Sequence, residues 1–136
     1  MAFVVVDCSV AISWFMSDES DNGINLLARV AEEGAIVPSL WPIEVGNVLL
    51  VSERNKRITK NQLHSAIHAL KELPIEIDSE TYKNAWSESI ELAEQYSLSL
   101  YDATYLELSL RTCLPLATFD KQLKRAAESS GVHLLI

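Results

Sequence analysis

The 136-residue sequence has only two cysteines, Cys8 and Cys113, far apart and without a Cys-x-x-Cys spacing. A disulfide framework and a thiolate zinc site are excluded, and the pair reads as two reduced, partly buried thiols. Glycine and proline are also sparse, at four each, and no linker, internal repeat or low-complexity segment is visible. No apolar run approaches the roughly 20 residues of a membrane helix. The opening "MAFVVVDCSV" has no basic flank and meets Asp7 after a short apolar run, so no signal peptide is expected here. The expectation is a cytoplasmic protein with no membrane partner. Basic residues are outnumbered, 11 Lys and Arg against 19 Asp and Glu, for a net charge of −8. That is a poor footprint for a general nucleic-acid binder. The objection weakens if several of those acids hold divalent cations, because bound metal reverses the local sign. What the chain does have is apolar content, 49%. A chain this long buries about two-thirds of its unfolded surface and folds without a metal or disulfide. One domain spanning 1–136 is expected.

"AFVVV" (2–6) is a short, β-branched apolar run, the mark of a strand buried on both faces of a parallel sheet. Ser9 then caps a short helix, "VAISWFM". "DNGINLLARVAEEG" (21–34) spaces Ile24, Leu27, Ala28 and Ala31 as a helix and ends on Gly34. "AIVP" (35–38) is a second strand. "SLWPIEVGNVLLVSERNKR" (39–57) is a helix with Pro42 in its first turn, where proline is tolerated. Residues 59–73 form a further helix with Leu63, Ala66, Ile67 and Leu70 on one face, and "PIEI" (74–77) a third strand. Residues 79–96 carry Tyr82, Trp86, Ile90 and Ala93 on one helical stripe, and "SLSLYDATYLELSL" (97–110) is helical in turn. "LPLATFD" (114–120) is a fourth strand, 121–131 a helix and "VHLLI" (132–136) a last strand. Strands alternating with helices, and no tight hairpin signal, predict a three-layer α/β domain. Its central sheet is mainly parallel, with about four to five short strands and helices on both faces.

Four carboxylates stand where apolar residues are expected. Asp7 ends the first strand and Asp120 the fourth; Glu44 is the only charge in "LWPIEVGNVLLV"; Asp102 stands near the start of a mostly apolar helix. Each has a plain structural explanation. Asp7 and Asp120 suit helix caps, Ser99 and Asp102 suit a capping box, and Glu44 suits a helix's first turn. Capping does not require that the acids cluster, however. In open α/β sheets, ligands bind beyond the carboxyl ends of the strands, at a change of strand order. All four acids can meet at that rim. Clustered carboxylates resist ionisation unless a cation joins them, and an all-oxygen set suits Mg²⁺ or Mn²⁺ rather than zinc.

"VVVDCSV", "PIEVGNVLL", "YDATYLELS" and "ATFD", in this order and spacing, resemble the four acidic motifs of the PIN domain. The match is closest to the small VapC-type toxins of bacterial and archaeal toxin–antitoxin pairs, and it covers essentially the whole chain. The resemblance implies a Mg²⁺- or Mn²⁺-dependent endoribonuclease acting on RNA, usually dimeric and held inactive by an antitoxin. By motif matching, Asp7, Glu44, Asp102 and Asp120 form the acidic site, and Ser9 and Thr118 fall where the family often has hydroxyl residues. One metal held by Asp7, Asp102 and Asp120 is implied, with Glu44 recruiting a second or acting through a metal-bound water. Lys121 stands where some relatives carry a further acid, which leaves one metal or two open.

Other features fit less specific roles. His64 and His68 share a helix face but lack a third ligand, and read as surface or interface residues. "ERNKRITK" and "KQLKR" supply Arg54, Lys56, Arg57 and Lys121 as candidates for RNA phosphate contact, or as ordinary solvated helix ends. Trp14, Phe15 and Trp41 read as core or interface. Two other functions are open: a degenerate PIN scaffold that only binds a partner, and a haloacid-dehalogenase-like phosphatase. The latter needs an acid two residues after the first, where this chain has Ser9.

Overall fold

The computed structural model describes residues 2–16 and 21–136. Four short strands, β1 (Val5–Val6), β2 (Ala35–Val37), β3 (Ile75–Ile77) and β4 (Leu116–Ala117), form one sheet in the order β3-β2-β1-β4. Every pairing is parallel, with Val5 opposite Ile36 on one side and Leu116 on the other. Val4, Val5 and Val6 have no exposed surface, as a strand covered on both faces requires. The helices are α1 (Cys8–Ser13), α2 (Asp21–Glu33), α3 (Trp41–Arg54), α4 (Lys60–Glu72), α5 (Thr81–Asn84), α6 (Ile90–Tyr96), α7 (Leu100–Thr112) and α8 (Lys121–Ser130). The result is a three-layer α/β fold, as the alternation predicted.

Local chemistry sets most boundaries. Thr59 and Gln62 close a capping box on α4, and Pro42 sits in the first turn of α3. Gly34 and Gly131 end α2 and α8 with φ of 86° and 83°, a backbone region that costs glycine little. Trp41 belongs to the core, and Trp14 and Phe15 pack partly buried against it. Among the described residues, no helix is long and apolar enough to cross a membrane.

Several expectations need correction. The first and fourth strands are shorter than their apolar runs, and residues 132–136 contribute a single bridge, Leu134 to Leu116, instead of a strand. An apolar run marks burial, whereas a ladder also needs a partner at each position. On α2 the buried face is Gly23, Leu26 and Val30, while Ile24 is 61% exposed and Ala28 and Ala31 face solvent. The overlapping stripe wins because Gly23 lies against Ser13 of α1, where a Cβ would stand 2.8 Å from the hydroxyl. Residues 79–96 are not one helix. A π turn, Ala85–Ser89, separates α5 from α6. Its wider winding shifts the register, so Thr81 and Ser89 are buried and Trp86 is 87% exposed, with Tyr82 and Ile90 also outside. Cys113 is exposed, and only Cys8 is partly buried.

Candidate active site

The chain runs from β1 through β2 to β3 on one side of the sheet, and β4 lies on β1's other side. The strand order therefore reverses between β1 and β4, and a crevice is expected beyond their carboxyl ends. Asp7 and Asp120 follow these two strands. The Asp7 N–H donates to the Ala117 carbonyl at 3.1 Å, which extends the pairing to the site's edge.

Asp7 is the N-cap of α1: its Oδ1 accepts from the Val10 N–H at 3.1 Å and from the Ser9 hydroxyl at 2.7 Å. Ser9 is thus not the cap that the sequence suggested. A cap needs extended backbone outside the helix, and Asp7 holds that position. Ser9 Oγ instead accepts from the Phe119 N–H at 3.0 Å, tying the β1–α1 turn to the β4–α8 turn. Thr118, fully buried, donates to Asp7 Oδ2 and accepts from the Asp120 N–H. Asp120 caps α8 by accepting from the Leu123 N–H at 2.8 Å. Asp102 stands in the first turn of α7, whose cap is Ser99. Glu44 stands in the first turn of α3 and accepts from the Tyr105 hydroxyl at 2.5 Å.

The structural roles and the clustering therefore hold together. Asp7, Glu44, Asp102 and Asp120 line one open cleft of about 420 Å³, with Ser9 on its wall. Among the described residues none of the four is paired with a cation, and no three acidic, histidine or cysteine side chains close into a ready metal cage. The acids share a cleft without forming a complete ligand shell.

Burial and like charge together hold back the ionisation of Asp7 and Asp102. Burial pushes the Asp102 carboxyl up to about 6, and Asp120, Asp7 and Glu44 push the same way. Burial also raises Asp7 above its usual 3.8, against three hydrogen bonds that lower it, with Asp120 adding to the rise. Cys8, at the cleft wall, is pushed up to about 12 by burial and then by Glu44 and Asp7, so its thiol stays protonated and unreactive. Clustered, partly desolvated carboxylates with no counter-ion suit a hard divalent cation whose remaining ligands are water and substrate oxygen.

Of the four basic candidates, only Arg57 lines the cleft. Arg54 ends α3, Lys56 follows it with a φ of 62°, and Lys121 opens α8; all three are exposed. His64 and His68 lie exposed on α4, away from the acids. Sequence reasoning missed Tyr105, Val48 and Ser52, which also line the cleft. Helical spacing could have found them: Val48 and Ser52 follow Glu44 at four and eight residues, and Tyr105 follows Asp102 at three.

A family model described as "PIN domain" matches residues 4–129. Ribonuclease VapC3 of Mycobacterium tuberculosis (strain CDC 1551 / Oshkosh) is 30% identical over 129 residues, 93% of this chain and 89% of that protein. Among solved structures, PAE2754 from Pyrobaculum aerophilum is similar with a TM-score of 0.68 at 19% identity, covering 98% of this chain and 84% of that one. FitAcB from Neisseria gonorrhoeae follows with a TM-score of 0.67 at 12% identity, covering 96% and 95%. VapBC2 from Rickettsia felis, bound to a DNA fragment from their promoter, has a TM-score of 0.64 at 18% identity over 90% and 91%. The dehalogenase-like alternative falls with these matches, and Ser9, in the place of its second acid, is a hydrogen-bond donor to Asp7. With its four acids at one rim of a parallel sheet and the family model spanning almost its full length, this chain belongs to the PIN-domain family, in its VapC-type group.

Proposed function

We propose that this chain, as a single PIN domain over 1–136, is a divalent-metal-dependent endoribonuclease, the cytoplasmic toxin of a toxin–antitoxin pair. The observation that carries the reading is the convergence of Asp7, Glu44, Asp102 and Asp120 from four helix starts into one cleft at the strand-order reversal. The name of the M. tuberculosis relative, a ribonuclease, supports the chemistry.

Asp7, Asp102 and Asp120 would hold Mg²⁺ or Mn²⁺, with Glu44 as a further ligand directly or through water. When bound, such an ion orients a phosphodiester and makes a water more acidic. The chain's own residues prepare the place. Ser9, Thr118 and the Val10 amide fix Asp7 in one orientation. Thr118 also anchors the turn that presents Asp120. Arg57 offers a positive group to RNA phosphate on the cleft wall, and Arg54, Lys56 and Lys121 offer weaker, sequence-independent contacts from outside it.

The same charge pattern accounts for restraint by a protein partner. A basic side chain, arginine best of all, pairs bidentately with clustered carboxylates and displaces the cation they need. We also propose a symmetric homodimer. Ile24 on α2 and Ile43, Leu50 and Val51 on α3 are exposed apolar residues, and two-fold pairing is the commonest soluble assembly. The test of the activity is incubation of the purified protein with varied RNAs, with Mg²⁺ or Mn²⁺ and with EDTA, beside Asp102→Asn. Metal-dependent cleavage lost in the variant supports the reading; cleavage of equal rate in EDTA or by the variant rejects it.

A further inference from the structure

Glu44 is held differently from the three aspartates. Asp7 and Asp120 are gripped by backbone amides of the helices they cap, and Asp102 sits on a helix whose start is closed by Ser99. The N-cap of α3, Leu40, makes no side-chain bond, and no backbone amide donates to the Glu44 carboxylate among the described residues. Glu44 has a longer side chain with more rotamers to lose, and three like charges nearby favour its escape into water. One donor opposes this. Tyr105, 61 positions away on α7, gives its hydroxyl proton to Glu44 Oε1 at 2.5 Å. Tyr105 is 1% exposed, so packing fixes its ring and the hydroxyl arrives at a set point. A phenol carries one O–H to donate, and the Glu44 carboxylate receives it. Glu44 Oε2 has no protein partner among the described residues.

We propose that Tyr105 is a positioning residue: its hydroxyl pins Glu44 inside the acid cleft through Oε1 and leaves Oε2 available to a divalent cation or to that cation's water. The proposal rests on reading the cleft as a divalent-cation site. Tyrosine at this position then couples α7, which carries Asp102, to α3, which carries Glu44, so two of the four acids keep a constant separation.

The test is Mn²⁺ titration by calorimetry on the purified protein, as wild type, Tyr105→Phe, Glu44→Gln and the double variant. Phenylalanine keeps the buried ring and removes only the hydroxyl. Loss of a hydrogen bond to a ligating group weakens metal affinity by roughly tenfold or more, and that loss is expected for Tyr105→Phe. In the Glu44→Gln background the same change is expected to cost nothing further, because the group it positions is already neutral. Unchanged Mn²⁺ affinity in Tyr105→Phe overturns the proposal, as does an equal loss in both backgrounds. Should Tyr105→Phe fail to fold, Glu44→Asp serves instead, since its shorter side chain cannot reach the hydroxyl. It is expected to show the same loss, and wild-type affinity in Glu44→Asp overturns the proposal. Failure of the underlying reading is seen in the wild type alone: neither Mn²⁺ heat nor RNA cleavage removes both the cation site and the role given to Tyr105.

Discussion

Thr118 donates its hydroxyl proton to Asp7 across 111 positions of sequence, and the same oxygen receives the N–H of Asp120. One buried side chain thus links the two acids that end β1 and β4. Thr118→Val keeps the shape and removes both bonds. It leaves Asp7 Oδ2 buried with no donor, at a cost of about 1–3 kcal/mol. Urea denaturation is expected to show that loss, and RNA cleavage is expected to fall because Asp7 is no longer fixed. A variant as stable and as active as wild type would remove Thr118 from the site.

Asp7→Asn is expected to abolish cleavage while keeping the fold. Asparagine retains one acceptor oxygen for Val10 and caps about as well as aspartate. It also deletes a buried charge that faces Asp120. In EDTA the variant should be more stable by about 1 kcal/mol, and the gain should shrink with added Mg²⁺, which stabilises only the wild type. Melting curves with and without Mg²⁺ read this directly. Cleavage at the wild-type rate would reduce Asp7 to a cap.

The pH dependence without metal has a definite sign. The folded Asp102 value, about 6, lies above the ordinary 3.8. Its contribution to stability is complete below the ordinary value and is lost as pH rises through about 6, and Asp7 acts in the same sense. Asp78 is shifted down, so its contribution is present above 3.8 and is lost only as pH falls lower. In EDTA the protein is therefore expected to melt higher near about pH 5 than near about pH 7.5. Asp102→Asn is expected to narrow that difference. An identical difference in the variant would show that Asp102 is not its source.

A second charged cluster lies outside the cleft lining and ties neighbouring elements together. Arg111 donates to both oxygens of buried Asp78, at 3.1 and 2.7 Å, and to Glu107. Thr81 also donates to Asp78 and accepts from the Ser39 N–H, which ties α7 to the β3–α5 and β2–α3 turns. Removing one partner of a buried pair strands the other, at 3–5 kcal/mol when both are fully enclosed. Because Arg111 is partly exposed, Asp78→Ala is expected to cost less, about 2 kcal/mol, by urea denaturation. RNA cleavage below the unfolding range should be unchanged, and a selective loss of cleavage would reveal coupling to the cleft.

For the oligomer, light scattering at tens of micromolar is expected to give near twice the 15.2 kDa chain mass, and Ile43→Glu to lower it toward one. A wild-type monomer under those conditions would remove the dimer.

Sequence by itself determined the alternation of strands and helices, because β-branched runs, helical spacing and capping residues act over a few positions. It also singled out the four acids, since a charge amid apolar neighbours is a local anomaly. Which overlapping apolar stripe is buried was decided only by tertiary structure. The face of α2 depends on the close approach of Gly23 to Ser13, and the outward turn of Trp86 depends on one π turn. The same holds inside the cleft. Asp7 and Asp120 were legible as caps or as acids of one crevice, and the fold makes them both, since a helix start beside a strand end puts a carboxylate at the rim. The bonds from Thr118 to Asp7 and from Tyr105 to Glu44 span 111 and 61 positions, and no local pattern reports them. They exist because the parallel sheet places β4 beside β1, and because the buried Tyr105 of α7 reaches across to Glu44 of α3.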